Sequence, residues 1–259
     1  MQTKKVIITG ANEGIGYYFV RYLLLKQYFV TVLDLQINNL KELEEFYPAN
    51  LLAIECDVKN ENTVNEAVKK SAAKFNGIDI AIHNACKCTF NNMETSCEDT
   101  YKDIFDVNYY GALRLTKAVI PYMKAIRRGK IIYTSSGVGI MGFVNISPYA
   151  SSKAAIESLA KCLNIEYQQQ DITFHIFHPP LTRTKSSSPL PVPDEFMADP
   201  KKVGKGLAKN INNKGFIICH SFLQKFQTLL IYLFPIMMGK FMSKMTVNYT
   251  KNINKVNNA

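Results

Sequence analysis

The sequence has no CxxC pair and no group of histidines and cysteines at the spacing of a zinc site. Its six cysteines therefore predict neither a disulfide framework nor a metal centre, and reduced, mostly buried thiols are the simpler interpretation. A secretory signal is also missing, because the first apolar run, Val6-Ile7-Ile8, is short and leads directly into glycines. We therefore expect a cytoplasmic protein without a bound metal.

The C-terminal apolar stretch from Gln227 to Gly239 is free of charge, but it contains only 13 residues and includes Pro235. A membrane-spanning helix needs about 20 apolar residues. Three interpretations remain for this stretch: an interfacial helix, a subunit interface or a cover over a substrate pocket. The sequence favours the last two and leaves membrane association open.

The formal net charge is +10, yet no block of lysines alternates with aromatic residues in the way that nucleic-acid-binding segments do. A solvated basic surface and no nucleic-acid partner are therefore expected. The densest group of basic residues lies on a predicted amphipathic helix and would attract acidic surfaces or substrates weakly. It consists of Lys201, Lys202, Lys205, Lys209 and Lys214.

Short apolar runs alternate with amphipathic stretches of helical length along the whole chain. The predicted strands are 5–9, 29–33, 51–55, 78–83, 130–134, 172–177 and 216–219, and the predicted helices are 15–25 and segments near 60–75, 97–124, 150–169 and 200–213. This order predicts an α/β fold, a single doubly wound Rossmann domain (1–220) with a seven-stranded parallel sheet and helices on both faces. A helical extension (221–259) follows it, and residues 182–193 are expected to form a loop.

A glycine-rich turn follows the first strand, in Thr9-Gly10-Ala11-Asn12-Glu13-Gly14-Ile15-Gly16. Between a strand and a helix, such a turn lets backbone N–H groups approach a pyrophosphate. Asp34 ends the second strand, where a carboxylate can accept hydrogen bonds from ribose hydroxyls and would repel a 2′-phosphate. Glu13 adds a second negative charge, so NAD(H) is favoured over NADP(H). Asp57 either contacts the adenine or caps the next helix.

Tyr149 and Lys153 are one helical turn apart, so both side chains can enter one site. A phenol whose pKa is lowered by a nearby ammonium can donate a proton to a ketone that is being reduced, and take it back in the reverse direction. Ser136 lies at the end of the fifth strand, 13 residues before Tyr149, where its hydroxyl can bond the reacting oxygen.

Together these motifs resemble the short-chain dehydrogenase/reductase family over roughly residues 4–220. The resemblance implies that Asn108 is the fourth catalytic residue and holds a water in a proton relay with the lysine. It also implies that residues 178–184 match the family's Pro-Gly-x-x-x-Thr turn, so that Thr184 would bind the nicotinamide carboxamide. The predicted cofactor contacts are Gly10, Asn12, Glu13, Gly14, Ile15, Gly16, Asp34, Leu35, Asp57, Val58, Asn84, Ala85, Tyr149, Lys153, Pro179, Leu181, Thr182 and Thr184.

Two residues depart from the family pattern. Cys86 follows Asn84-Ala85 where the family has glycine, and Pro180 replaces the glycine of the Pro-Gly turn. We expect altered cofactor geometry or affinity, because both positions lose the conformational freedom of glycine.

The leading hypothesis is an NAD-dependent alcohol dehydrogenase or ketone reductase that acts on a moderately apolar substrate beneath a lid formed by residues 185–198. One alternative is an NADPH-dependent reductase of lipid-like ketones at a membrane surface. Another is a catalytically silent nucleotide-binding regulator. The family resemblance suggests a homodimer or homotetramer.

Overall fold

The computed structural model describes residues 4–190 and 192–257, with side chains up to Tyr249. All seven predicted strands are present and parallel, and the prediction of a doubly wound sheet is confirmed. The strands are β1 Lys5–Thr9, β2 Phe29–Asp34, β3 Leu51–Glu55, β4 Ile80–His83, β5 Gly129–Thr134, β6 Ile172–Phe177 and β7 Ile217–Ile218. The last strand is only two residues long, shorter than the predicted 216–219.

The sheet has the strand order β3-β2-β1-β4-β5-β6-β7, which reverses direction between β1 and β4. In such sheets a crevice opens at the carboxyl ends of the strands where the order reverses. Thr9 pairs with both Leu33 and His83, and His83 pairs with Tyr133, so β1, β2, β4 and β5 end close to one level. The motifs that follow these strands are therefore gathered at one edge.

Helices cover both faces of the sheet. They are α1 Gly14–Leu25, α2 Lys41–Phe46, α3 Glu61–Phe75, α4 Glu98–Phe105, α5 Gly111–Ala125, α6 Val138–Met141, α7 Ser147–Glu166, α8 Pro200–Lys209, α9 Phe222–Leu233 and α10 Pro235–Asn257. Successive strand residues point to opposite faces, so Ile7 packs in the core under α3, α5 and α7, whereas Val6 and Ile8 pack in the core under α1 and α8. The continuous apolar strands reflect this burial on both sides.

The helix predicted near 97–124 is divided into three parts. Between α4 and α5 the segment Asp106–Tyr110 winds as a π-helix. The wider turn shifts the register of the side chains by one residue, and π segments of this kind are frequent at functional sites. Asn108, the residue predicted to be catalytic, lies in this segment and is fully buried.

Residues 182–190 and 192–198 belong to a loop whose base is closed by backbone hydrogen bonds. Arg183 N–H donates to the Ala198 carbonyl at 3.0 Å, and Ala198 N–H donates to the Leu181 carbonyl at 2.8 Å. Two short 3₁₀ turns, Lys185–Ser187 and Asp194–Phe196, interrupt the irregular stretch. The sequence predicted the loop but not these turns.

The predicted helical extension consists of α9 and α10. In the part of the chain that is described, no single helix has both the length and the apolar character needed to cross a bilayer. The pair α9 and α10 meets both criteria together, but it is bent by 112°.

Candidate active site

The glycine loop between β1 and α1 packs closely against neighbouring backbone. Gly10 has a φ of +68°, and a Cβ there would lie 2.4 Å from the Ala85 Cα. A Cβ on Gly16 would lie 2.5 Å from the Gly10 carbonyl oxygen. These positions therefore require glycine. The N-cap residue Glu13 makes no side-chain capping bond to α1, so the first N–H groups of the helix are free of a capping side chain. A glycine-lined helix N-terminus of this kind fits a pyrophosphate.

Asp34 and Asn12 hold the glycine loop against the loop after β2. The Asp34 carboxylate accepts a hydrogen bond from Asn12 N–H at 2.8 Å. The side-chain amide nitrogen of Asn12 donates to the Asn38 side chain at 3.0 Å. The side-chain oxygen of Asn12 accepts from Asn39 N–H at 3.0 Å. The Asn12 side chain is therefore bonded within the protein, and the cofactor contact of this residue stays a prediction. Glu13 remains exposed at the same edge.

The edge of the crevice beyond Asp34 is formed by Leu35, Asp57 and Val58. Leu35 is 68% exposed and directly follows Asp34. The Asp57 carboxylate accepts from Lys59 N–H at 2.9 Å, while Asn60 caps α3 through the N–H groups of residues 62 and 63. The helix-cap interpretation of Asp57 is therefore wrong. Val58 is buried.

Thr9, at the end of β1, organises the turn after β4. Its hydroxyl accepts hydrogen bonds from the N–H groups of Asn84 and Ala85, each at 3.1 Å. The Asn84 amide donates to the Gly10 carbonyl, and its oxygen accepts from Thr134 at 3.2 Å. The ends of β1, β4 and β5 are thereby joined at the crevice, where Asn84 and Ala85 were predicted to lie.

Ser136, Tyr149 and Lys153 converge at the end of β5. Ser136 lies close enough to the Tyr149 hydroxyl to lower the pKa of that phenol. Lys153 is buried, its Nζ donates to the Thr134 carbonyl at 2.8 Å, and it lies 5.5 Å from the centre of the Tyr149 ring. Two neighbouring hydroxyls beside a buried ammonium suit proton transfer to a substrate oxygen.

The pKa values in this cluster are governed by burial. Burial raises the pKa of the Tyr149 phenol well above its usual value, and the neighbouring Ser136 side chain opposes this shift. Burial lowers the pKa of the Lys153 ammonium. The sequence predicts a lowered pKa for Tyr149, but Lys153 lies over the Tyr149 ring and bonds a backbone carbonyl rather than the phenol oxygen.

Asn108 fixes the catalytic helix from the π segment. Its amide oxygen accepts from Lys87 N–H at 2.7 Å, and its amide nitrogen donates to the Lys87 carbonyl at 3.0 Å and to Ser152 Oγ at 2.9 Å. Ser152 in turn donates to the Tyr149 carbonyl at 2.7 Å. Asn108 is thus connected to the helical turn between Tyr149 and Lys153, a role that the sequence did not suggest for its side chain.

The turn after β6 approaches the glycine loop. A Cβ on Gly14 would lie 3.3 Å from the Thr184 methyl group, so Thr184 lies beside the first residue of α1. Thr184 also caps the turn Lys185–Ser187. Thr182 is buried and donates to the Pro180 carbonyl at 2.7 Å, while Pro179 and Leu181 are partly exposed. The predicted nicotinamide turn therefore faces the predicted pyrophosphate loop.

Comparison with known proteins identifies the family. Residues 4–192 match the family model described as short chain dehydrogenase. The chain belongs to the short-chain dehydrogenase family. The fold, the glycine loop and the Tyr149/Lys153 pair agree with this membership, and the family binds a nicotinamide cofactor.

Curated relatives of this short-chain dehydrogenase include 3-dehydrosphinganine reductase of Danio rerio, 30% identical over 69% of the chain and 56% of the relative. D-beta-hydroxybutyrate dehydrogenase of Bos taurus is 26% identical over 68% of the chain and 54% of the relative. The oxidoreductase UcpA of Escherichia coli is 31% identical over 80% of both chains. The chain thus spans little more than half the length of the first two.

Solved structures show the same fold. A short-chain dehydrogenase from Streptomyces avermitilis has a TM-score of 0.80 at 19% identity, covering 100% of this chain and 99% of the other. A 3-ketoacyl-(acyl-carrier-protein) reductase from Brucella melitensis, complexed with NADH, has a TM-score of 0.73 at 20% identity over 84% and 94%. ElxO with NADP bound has a TM-score of 0.73 at 22% identity over 85% and 95%.

The two departures from the family pattern do not strain the backbone of this short-chain dehydrogenase. Five non-glycine residues in the described ranges have positive φ, and neither Cys86 nor Pro180 is among them. The conformational freedom of glycine is therefore not needed at either position. Burial raises the pKa of the neighbouring Cys88 thiol to about 12, so that thiol is protonated beside Tyr149.

A buried carboxylate that the sequence analysis missed lies one turn beyond Lys153. Glu157 accepts hydrogen bonds from Ser135 at 2.7 Å, from His178 at 2.9 Å and from Tyr232 at 2.5 Å. Burial alone raises the pKa of Glu157, but these bonds outweigh burial and the net pKa is lowered. This network joins α7 to β5, to the turn after β6 and to α9. Sequence reasoning could have found only the i, i+4 spacing of Lys153 and Glu157.

Two buried histidines make folding sensitive to acid. Burial, aided by the nearby Lys153 ammonium, lowers the pKa of His83 to about 3. Burial lowers the pKa of His175 to about 4. In the unfolded chain a histidine has a pKa of about 6.5, so below that pH the unfolded state binds more protons than the folded state. The contribution of each histidine to the free energy of unfolding is therefore fully present above about pH 6.5. It is lost as the pH falls, down to about 4 for His175 and about 3 for His83.

We expect each of the two histidines to lower the free energy of unfolding by about 1.4 kcal/mol between pH 7.5 and 5.5. Urea titrations of the wild type and of His83→Asn at both pH values measure this effect. Asparagine does not titrate, so the variant should lose about half of the histidine-dependent change. Equal pH dependence in the two proteins would contradict the role of His83.

Proposed function

We propose that this short-chain dehydrogenase is an NAD(H)-dependent oxidoreductase that interconverts a moderately apolar secondary alcohol and the corresponding ketone. The observation that carries the proposal is the convergence of Ser136, Tyr149 and Lys153 at the carboxyl edge of the sheet, beside the glycine loop. Relatives include enzymes named for reduction of a ketone and for dehydrogenation of a hydroxy acid, which supports chemistry at a carbon–oxygen centre.

The nicotinamide, when bound, supplies or accepts the hydride. In the reductive direction the Tyr149 O–H donates its proton to the substrate oxygen while the Ser136 hydroxyl donates a hydrogen bond to the same atom. In the oxidative direction the tyrosine oxygen takes the proton back from the alcohol. Because burial raises the pKa of Tyr149, the phenol carries the proton that it donates in the reductive direction.

Asn108, Ser152 and Glu157 position these groups. Asn108 and Ser152 hold the turn of α7 that carries Tyr149. Glu157 holds the next turn and also bonds Ser135, the neighbour of Ser136. The reacting hydroxyls are therefore fixed by buried bonds on both sides, and this preorganisation lowers the cost of orienting the substrate. Residues 185–198, with Phe196 exposed, are proposed as the lid.

The proposed preference for NAD(H) rests on charge. A 2′-phosphate on the adenosine ribose would meet the carboxylates of Asp34 and Glu13, and no basic side chain adjoins either residue in the sequence. Calorimetric titration should therefore show tighter binding of NADH than of NADPH. Tighter binding of NADPH by the wild type would contradict the proposed preference for NAD(H).

Charge substitutions at the crevice edge test the same point. Glu13 and Leu35 are exposed, so the double variant Glu13→Arg/Leu35→Arg leaves the Asp34–Asn12 bond intact. We expect the ratio of NADH to NADPH affinity to fall by about tenfold or more, because the phosphate gains two positive neighbours. Glu61→Arg, at the exposed start of α3, is the matched control and should leave the ratio unchanged.

A lipid-like ketone is the second candidate substrate. The similarity to 3-dehydrosphinganine reductase of Danio rerio and the apolar surface of α9 and α10 favour it. Turnover of long-chain keto compounds with NADPH, at rates above those for short ketones with NADH, would select this candidate.

A further inference from the structure

Helix α9 has its polar face toward the protein and its apolar face outward. Gln224 and Thr228, spaced by one turn, are only 6% and 2% exposed, and the next residue on this face, Tyr232, bonds the buried Glu157. On the outer face Phe222 is 87% exposed, and Phe226, Leu229 and Leu233 are each more than half exposed. A helix on the surface of a protein in water normally shows the opposite arrangement.

Helix α10 repeats the same arrangement. On its inner side Gly239 packs against the end of α6, where a Cβ would clash with the Met141 carbonyl oxygen. Ser243 Oγ, on the same side, accepts a hydrogen bond from Val144 N–H at 3.1 Å. Its outer side exposes Ile236, Met237, Phe241 and Met245. More than half of the large apolar side chains that the structure describes as exposed lie between residues 222 and 249. Apolar surface of this extent marks an interaction site.

The positive charge of the chain is concentrated in the same region. From Pro200 to Ala259 the sequence contains ten lysines and no aspartate, glutamate or arginine. Before Pro200 the 21 acidic residues are balanced by an equal number of lysines and arginines, so the whole net charge of +10 comes from the last part of the chain. Lys225, Lys240 and Lys244 are exposed on α9 and α10 themselves.

We propose that the outer face of α9 and α10 docks on an anionic phospholipid bilayer, with both helices lying in the interface. Apolar side chains on a helix flanked by lysines suit the boundary between headgroups and acyl chains. A second copy of this chain fits less well, because a symmetric interface would bring together two surfaces that carry lysines and no acidic residue. The bend of 112° between the helices suits a pair that lies on the bilayer rather than one that crosses it.

Docking would place the active site close to the lipid. A Cβ on Gly137, the neighbour of Ser136, would lie 3.2 Å from the Ile231 side chain on α9. Tyr232, next along the helix, bonds Glu157 on the catalytic helix. The docking helix is therefore packed against the catalytic group, and an apolar substrate dissolved in the bilayer would have a short route to it. The docking itself is independent of the proposed function.

Vesicle flotation of the full chain tests the proposal without any turnover. We expect at least tenfold more protein to float with vesicles of phosphatidylcholine containing one third phosphatidylserine than with phosphatidylcholine alone, and less binding at high salt. The triple variant Phe226→Ser/Leu229→Gln/Leu233→Gln should lose at least tenfold of this binding. Its matched control, Leu25→Gln/Phe46→Ser/Ile165→Gln, changes apolar residues elsewhere that are even more exposed, and it should bind like the wild type.

A charge-reversal variant gives a second test of vesicle binding. Lys225→Glu/Lys240→Glu/Lys244→Glu should lower binding to the anionic vesicles by about fivefold per lysine or more, with little effect on neutral vesicles. Circular dichroism and the melting temperature of each variant should match the wild type, because every substituted side chain is exposed.

Three results would overturn the proposal. The first is no binding of the wild type to either kind of vesicle. The second is binding that the triple apolar variant leaves unchanged. The third is a dimer in light scattering that this variant dissociates, without vesicle binding by the wild type, which would assign the face to a second copy of the chain.

Discussion

Replacing Tyr149 with phenylalanine should lower kcat by a factor of about 10²–10⁴, while the dissociation constant for NADH changes by no more than about threefold. The phenylalanine ring keeps its place over Lys153, so the shape of the site is preserved. Only the hydroxyl beside Ser136 disappears, and with it the proton donor for the substrate oxygen. Steady-state rates and calorimetric titration separate these two effects.

Tyr110→Phe is the matched control for this variant. Tyr110 is 47% exposed in the π segment, two residues from Asn108, so the loss of its hydroxyl should leave both kcat and NADH affinity unchanged. Turnover by Tyr149→Phe at the wild-type rate would contradict the assignment of the catalytic residue. Loss of NADH binding in the same variant would show that Tyr149 serves mainly to hold the cofactor.

Glu157→Leu should destabilise the protein by about 3–5 kcal/mol and lower Tm by about 10 °C. The substitution leaves three buried donors, from Ser135, His178 and Tyr232, without their acceptor. Each unsatisfied buried donor costs about 1–3 kcal/mol, and relaxation of the surroundings recovers a part of the sum. Urea unfolding monitored by circular dichroism measures the loss.

Glu166→Leu, at the end of the same helix, is the control for Glu157→Leu. Glu166 is exposed, so its replacement should change the free energy of unfolding by no more than about 0.5 kcal/mol. If both variants were equally stable, Glu157 would not be the centre of the network. Glu157→Gln should fall between them, since its amide oxygen still accepts hydrogen bonds.

The strands and the glycine loop could be predicted from the sequence because their signals are local. An apolar run such as 78–82 indicates a strand that is buried on both faces of a sheet. The order of strands and helices then leaves few possible sheet topologies. Gly10 and Gly16 stand where neighbouring backbone leaves no room for a side chain. The structure confirmed the fold class and the helical extension on this basis.

The rest of the site depends on residues that are distant in sequence. The acceptor role of Glu157 needs donors from positions 135, 178 and 232, and no local pattern indicates that these meet. The π segment that buries Asn108 has no signal in a continuous helical pattern. The orientation of α9 was also hidden, because its alternation of polar and apolar residues does not say which face lies inward.

The most direct test of the central claim is transfer of deuterium from a labelled alcohol. The protein would be mixed with NAD and a panel of apolar secondary alcohols that carry deuterium on the carbinol carbon, and the nucleotide product analysed by mass spectrometry. We predict NADH that carries one deuterium, formed by the wild type and not by Tyr149→Phe. Binding of NADH without any labelled product across the panel would contradict the account and indicate a nucleotide-binding protein without this activity.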